Sequence, residues 1–117
     1  MFSDGASVFY FNKKNVQVIK TFKSFRKDSF NDLCTKESEL FMDGKKVFEF
    51  VNFEVVNLLK SIIKKNKKIK IIFNHQASLT VENLIKNKLR QFNLIIPSNI
   101  KKIGNTVSSS IPHLIID

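Results

Sequence analysis

From Val47 to Ile63 the apolar residues Val47, Phe48, Val51, Val55, Leu58, Leu59, Ile62 and Ile63 recur at intervals of three and four. That spacing places them on one face of a helix, and Asp43, just ahead, is suited to cap it. A second stripe begins near Ser78 and runs through Leu84, Ile85, Leu89 and Phe92. Glu82 and Lys86 are expected on its outside as an i,i+4 pair. Other segments read as strands: Val8 to Phe11 and Val16 to Phe22, joined by the polar Asn12-Lys13-Lys14-Asn15, then Lys70 to Phe73 as a short buried strand, and Ile100 to Ile103. Residues 23 to 41 have no sustained period and read as a long connection. The run from Gly104 to Pro112, rich in small hydroxyl residues, predicts a packed loop turning into a helix, with Pro112 in the first turn. Strand, strand, helix, strand, helix, strand, helix is an alternating α/β order, and 117 residues hold one core.

Composition narrows the class. The chain is 43% hydrophobic with 12 Phe but only 3 Gly and 2 Pro, which fits a globular protein. Its formal net charge of +10 attracts acidic partners. Lys, Asn, Ile and Phe crowd the whole sequence, however, and no segment forms a nucleic-acid-binding module, so nucleic acid is not an expected partner. The densest basic run, Lys64 to Lys70, lies between a helical stripe and a strand and reads as a solvated turn. A single cysteine, Cys34, makes no internal disulfide and no metal-ligand cluster is apparent, which suits a reducing cytoplasm. No apolar run approaches the roughly 20 residues of a bilayer span, and the first residues lack the pattern of an export signal, so no membrane role is expected.

His75, at the end of an apolar strand, is weak evidence alone, because a structural histidine is the commoner case. It does not stand alone. Phe73-Asn74-His75-Gln76-Ala77-Ser78 is preceded by Met42-Asp43-Gly44-Lys45-Lys46-Val47-Phe48 and followed by Gly104-Asn105-Thr106-Val107-Ser108-Ser109-Ser110-Ile111-Pro112. These three segments, in this order and spacing, resemble the C-terminal half of β-ketoacyl-acyl-carrier-protein synthase III, a thiolase-like condensing enzyme. Phe2-Ser3-Asp4-Gly5-Ala6-Ser7 is similar to the family's Gly-Asp-Gly-Ala-Gly-Ala strand entry, with serines in place of two glycines. The resemblance covers nearly the whole chain and is poorest from about residue 12 to 40.

The resemblance implies an acyltransferase. In that family a cysteine takes an acyl group as a thioester, and malonyl-carrier protein loses carbon dioxide to give the carbanion that attacks it. Two hydrogen-bond donors steady the negative charge gathering on the malonyl thioester oxygen. By position in the motifs these are His75 and Asn105. The resemblance also assigns Gly44 and Phe48 to the lining of a pantetheine tunnel and Ala77 and Ser78 to its thioester end. Ser78 departs from the family's usual Asn. For Gly44 and Phe48 a helix-start glycine and a core aromatic are the plainer readings. On the carrier-protein docking face Lys88 matches a basic position, Thr80 and Glu49 stand where Arg and Lys are usual, and Lys86 is placed to compensate. The implied substrates are acyl-CoA and malonyl-acyl carrier protein, with no bound cofactor or metal.

Neither Cys34 nor His113 belongs to the motifs. Cys34 lies in the poorly matched connection and reads as a free thiol, while the family's nucleophile lies in an N-terminal half absent from this sequence. The expected architecture is therefore one partial domain over residues 1–117, with α/β layers of a thiolase-like C-terminal half, a mixed sheet with packed helices, and the closing strands missing. Such a piece exposes a surface that the first half covers, and expected partners are acyl carrier protein, the N-terminal half and, in the complete enzyme, a second copy as homodimer. Two other functions stay open: a non-catalytic remnant or interaction module of the same family, and a small basic nucleic-acid-binding protein, for which only charge speaks.

Overall fold

In a computed structural model, residues 3–8, 22 and 26–117 are described, and all statements below concern these residues. They form a mixed α/β arrangement: a β-hairpin, a long helical stretch, three further helices, and a short parallel bridge. The predicted strands over 8–11 and 16–22 lie largely outside the described residues; Val8 is not in a strand.

The connection expected over 23–41 instead ends in a hairpin. Its strands β1 (Leu33–Lys36) and β2 (Glu39–Met42) pair antiparallel, with Leu33 opposite Met42 and Lys36 opposite Glu39. Glu37 and Ser38 form the tight turn with φ of 49° and 70°, as a twisted two-residue hairpin loop requires. Such turns are usually marked by Asn-Gly or Asp-Gly; Glu-Ser gives no such signal. Leu33, Leu40, Phe41 and Met42 are all exposed, so the hairpin has no buried face of its own.

The next stretch is helical as expected and starts at Asp43, whose carboxylate accepts from the Lys46 N–H at 3.0 Å. α1 (Gly44–Phe50) passes through a wide π-type segment over Val51–Val55 into α2 (Val56–Lys65). The Val56 N–H reaches back five residues to the Val51 carbonyl, and each such bond widens the turn by one residue. The apolar face is thereby shifted: Val56, outside the expected stripe, is 1% exposed, while Val55 is only half-buried. Asn66 ends the helix by donating its side-chain N–H to the Ile62 carbonyl at 2.8 Å. Lys64 and Lys65 occupy the last turn, where cations favour the helix dipole, and the run to Lys70 is mostly exposed, consistent with a solvated turn.

Lys70 to Phe73 makes only a parallel bridge, Ile71 to Ile95, with Ile72 N–H to Ile95 O at 3.0 Å and Ile95 N–H to Lys70 O at 2.9 Å. Nor is this segment buried as expected: Ile71 and Ile95 are 46% and 61% exposed. α3 (Leu79–Leu89) is capped by Ser78, whose hydroxyl oxygen accepts from the Val81 N–H at 3.2 Å. Ile100–Ile103 is a helical turn, α4, and not a strand. The Asn99 carbonyl accepts from Lys102 and Ile103 N–H at 2.8 and 3.0 Å, closing that turn; a four-residue apolar-polar run carries too few residues to separate the two periods. α5 (Ser110–Ile116) holds Pro112 in its first turn, as expected.

The core lies where α2 meets α3. Val56, Ile63, Ile85 and Leu89 are buried there, flanked by Leu59, Val81 and Phe92 and by Ile72, Leu94 and Ile96 from the bridged segments. Each such side chain contributes on the order of 1.5–3 kcal/mol by leaving water. Glu82 corrects the expectation of an outer ion pair. It is 3% exposed and shares the inward stripe with Ile85 and Leu89. No helix among the described residues is long and apolar enough to cross a membrane.

Candidate functional site

From Ile71 to Gln76 burial alternates: Ile71, Phe73 and His75 are exposed, whereas Ile72, Asn74 and Gln76 turn inward. Extended backbone has this period of two, so His75 shares an open face with two apolar residues. Gln76 is fully buried. Its Nε2 donates to the Asn74 carbonyl at 3.1 Å, and its Oε1 lies 3.2 Å from the Ser98 hydroxyl. That hydroxyl also contacts Glu82 Oε2, and Glu82 Oε1 holds the Lys86 ammonium at 2.6 Å. A polar chain thus ties the segment beside His75 to the inner face of α3.

The second motif folds around Asn105, 9% exposed. Asn105 Oδ1 accepts from the Val107 N–H at 2.9 Å, a side-chain turn that short Asn residues favour. Val107 takes φ of 50°, rare for a β-branched residue, where the chain turns toward α5. With Oδ1 so committed, Nδ2 faces the first motif and donates to the Ala77 carbonyl at 3.2 Å, across 28 residues of sequence. An amide carries two N–H groups, so one remains for another acceptor.

Gly104 is required here. With φ of 73° and ψ of −162° it occupies a region open essentially to glycine, and a Cβ would collide with Ser3. The N-terminal residues clamp the same loop: the Ser3 N–H donates to the Asn105 carbonyl at 2.8 Å, and the Ser109 hydroxyl donates to the Gly5 carbonyl at 3.1 Å. His113 packs against this clamp, its Nε2 within 3.0 Å of where a Cβ on Gly5 would sit. Two segments read separately in the sequence, one holding Ser3 and Gly5 and the other running from Gly104 to Ser109, are in contact here.

Of the residues implied by the resemblance, His75, Ala77, Ser78 and Asn105 fall in these two adjoining segments. Ser78 spends an oxygen lone pair on the α3 cap but keeps its proton to donate. Gly44 opens α1 with empty space where a Cβ would stand, so nothing in the described fold demands glycine there. Phe48 is half-buried on α1. Lys88 is exposed on α3, and Lys86 is held by Glu82. Cys34 is a free thiol on β1 opposite Phe41. Among the described residues no group of three or more His, Cys, Asp or Glu is placed to hold a metal ion. Sequence reasoning missed Ser98 and the inward Glu82; the spacing of Glu82, Ile85 and Leu89 at three and four was the available signal.

No protein-family model matches the chain. Among curated proteins it is similar to "Beta-ketoacyl-[acyl-carrier-protein] synthase III" of Streptococcus gordonii, 34% identical over 83 residues, which is 68% of this chain and 26% of that protein. The proteins of the same name from Streptococcus sanguinis and Streptococcus pneumoniae are 27% and 29% identical over 90 residues, 74% of this chain and 28% of theirs. The chain spans roughly a quarter of the length of these curated relatives. The similarity supports a relationship between this chain and the synthase III condensing enzymes.

Proposed function

We propose that this chain supplies the decarboxylation half of a synthase III-type acyltransferase site within a thiolase-like assembly. The observation that carries the reading is the Asn105 Nδ2 bond to Ala77 O, which sets an oriented amide beside the segment bearing His75. In the reaction the bond between the malonyl carboxylate and its α-carbon breaks, and carbon dioxide leaves. The electron pair moves onto the thioester oxygen, where a His75 N–H and the remaining Asn105 N–H stabilise the enolate. Its carbon then attacks the acyl thioester carbonyl of a cysteine from outside this sequence, the acyl carbon–sulfur bond breaks, and the cysteine leaves as thiolate, giving a 3-oxoacyl-carrier protein. Ser78 and Ala77 border the thioester, Gly44 and Phe48 the pantetheine arm, and Lys88 meets the acidic carrier protein. Lys86 serves that docking less well, since Glu82 already holds it. The working compartment on this reading is the cytoplasm.

The exposed face shared by Ile71, Phe73 and His75 calls for a cover, and the cysteine-bearing polypeptide is the cover we propose. A non-catalytic remnant is the second reading, favoured by Thr80 and Glu49 at positions where the resemblance implies Arg and Lys.

The test is malonyl-carrier-protein decarboxylation by the chain together with whatever its flanking coding region encodes. Release of carbon dioxide should fall on the order of 10²- to 10³-fold in His75→Ala and in Asn105→Ala, the loss typical of one oxyanion donor. Rates unchanged in both variants, or flanking regions without a cysteine-bearing segment, would favour the remnant.

A further inference from the structure

His75 lies on an open face, and among the described residues its ring makes no hydrogen bond. With no partner to steer the ring, its place is set by the backbone that carries it. The two carbonyls on either side of that residue's N–H and Cα are both held by side-chain amides. Asn74 Nδ2 donates to the His75 carbonyl at 3.2 Å, and Gln76 Nε2 reaches back past His75 to the Asn74 carbonyl at 3.1 Å. The histidine therefore sits at the apex of a small loop that Gln76 closes.

The two amides differ in what stands behind them. Asn74 Oδ1 has no hydrogen-bond partner among the described residues, whereas Gln76 is fully buried and engaged at both ends. Its amide can be seated in one sense only: turned over, Gln76 Oε1 would face the Asn74 carbonyl, acceptor against acceptor. In the sense observed, Oε1 meets the Ser98 hydroxyl at 3.2 Å, and that hydroxyl contacts Glu82 Oε2 on the face of α3 that also carries the buried Ile85 and Leu89. Polar contacts thus run from the packed side of α3 to the peptide bearing His75. One residue beyond Gln76, the Ala77 carbonyl accepts from Asn105 Nδ2, so the anchor falls between the two donors of the proposed site. An apolar side chain of the same volume would fill the space with no polar atom to satisfy; what the amide adds is a fixed direction.

We propose that Gln76 is a positioning residue for His75, tying the histidine's backbone to α3 and so setting its distance from the Asn105 amide. Being fully buried, Gln76 has no surface with which to touch substrate. The inference rests on the condensing role given to His75 above and adds to it the residue that keeps an otherwise unheld imidazole in register.

The experiment is a mutant cycle on malonyl-carrier-protein decarboxylation by the chain together with the product of its flanking coding region. Gln76→Met keeps the volume and removes both polar arms; turnover should fall about tenfold, since a misplacement of about 1 Å can cost on the order of 10²-fold. A variant that merely folds less well loses the same factor whether or not the histidine is present. A positioning residue acts only through its histidine, so in a His75→Ala background Gln76→Met should change turnover by less than about twofold. Should Gln76→Met fail to fold, Ser98→Ala, which cuts the tie to α3 at a single hydroxyl, takes its place in the same cycle and should likewise lose turnover only where His75 is present. Equal losses in the two backgrounds, or no loss beside an intact His75 while His75→Ala is impaired, overturn the inference and leave the role of His75 standing. A His75→Ala variant as active as the native protein overturns both.

Discussion

The helix pair α2–α3 and the two loops bearing His75 and Asn105 are held by different forces. Between the helices, Val56, Ile63, Ile85 and Leu89 meet through apolar contact, which tolerates changes of shape if volume is kept. The loops are fixed by single hydrogen bonds and by two unusual backbone angles, at Gly104 and Val107. Stability is therefore concentrated in the first region and geometry in the second. A substitution in the helices should act through unfolding, and one in the loops through placement.

The largest effect expected is that of Leu89→Ala, which empties a site 1% exposed and should cost about 2–5 kcal/mol in urea unfolding. Gly104→Ala comes next. Its backbone region alone costs about 1–3 kcal/mol in any other residue, and the collision with Ser3 adds to this. Ser3→Gly in the same chain should recover only the steric part, and full recovery would show that the backbone angle is not the constraint.

Asn105→Ala should cost about 1–3 kcal/mol and, more tellingly, accelerate hydrogen exchange at the Val107 amide, which loses its acceptor. Unchanged exchange there would break the contrast between the regions. Ser98→Ala should cost roughly 0.5–1.5 kcal/mol, and an altered Gln76 side-chain amide resonance would report the severed link to Glu82.

The smallest effect belongs to Lys46. A hydrogen bond from its ammonium to Asp32 at 3.0 Å, aided by their charge attraction, raises its pKa above the ordinary lysine value. A raised folded-state pKa stabilises below the ordinary value and loses that contribution as pH climbs through the folded one. Lys46→Met should thus differ slightly from the native chain at neutral pH and converge with it in strongly alkaline solution.

Both long helices were legible because their periods are long and their caps, Asp43 and Ser78, are of the right type. The hairpin was not, since Glu37 and Ser38 adopt left-handed angles without glycine or asparagine to announce them. Val56 escaped because the wide turn just before it rotates it inward, and no local composition marks that turn. Glu82 was readable by spacing, yet its pairing with Lys86 drew it outward on paper: i,i+4 geometry tells which residues meet and not which side they occupy. At the candidate site the motifs singled out His75 and Asn105, but the bond from Asn105 to Ala77 spans 28 residues and depends on Val107's backbone, which no spacing encodes.

The alternation from Ile71 to His75 has a thermodynamic corollary. Two greasy side chains and one imidazole stand on a common surface, so any polypeptide that docks to shield the former desolvates the latter in the same event. Association free energy and the electrostatic strength of the histidine's N–H are then coupled, so a weaker grip on Ile71 and Phe73 would leave that N–H more solvated even with every polar group intact.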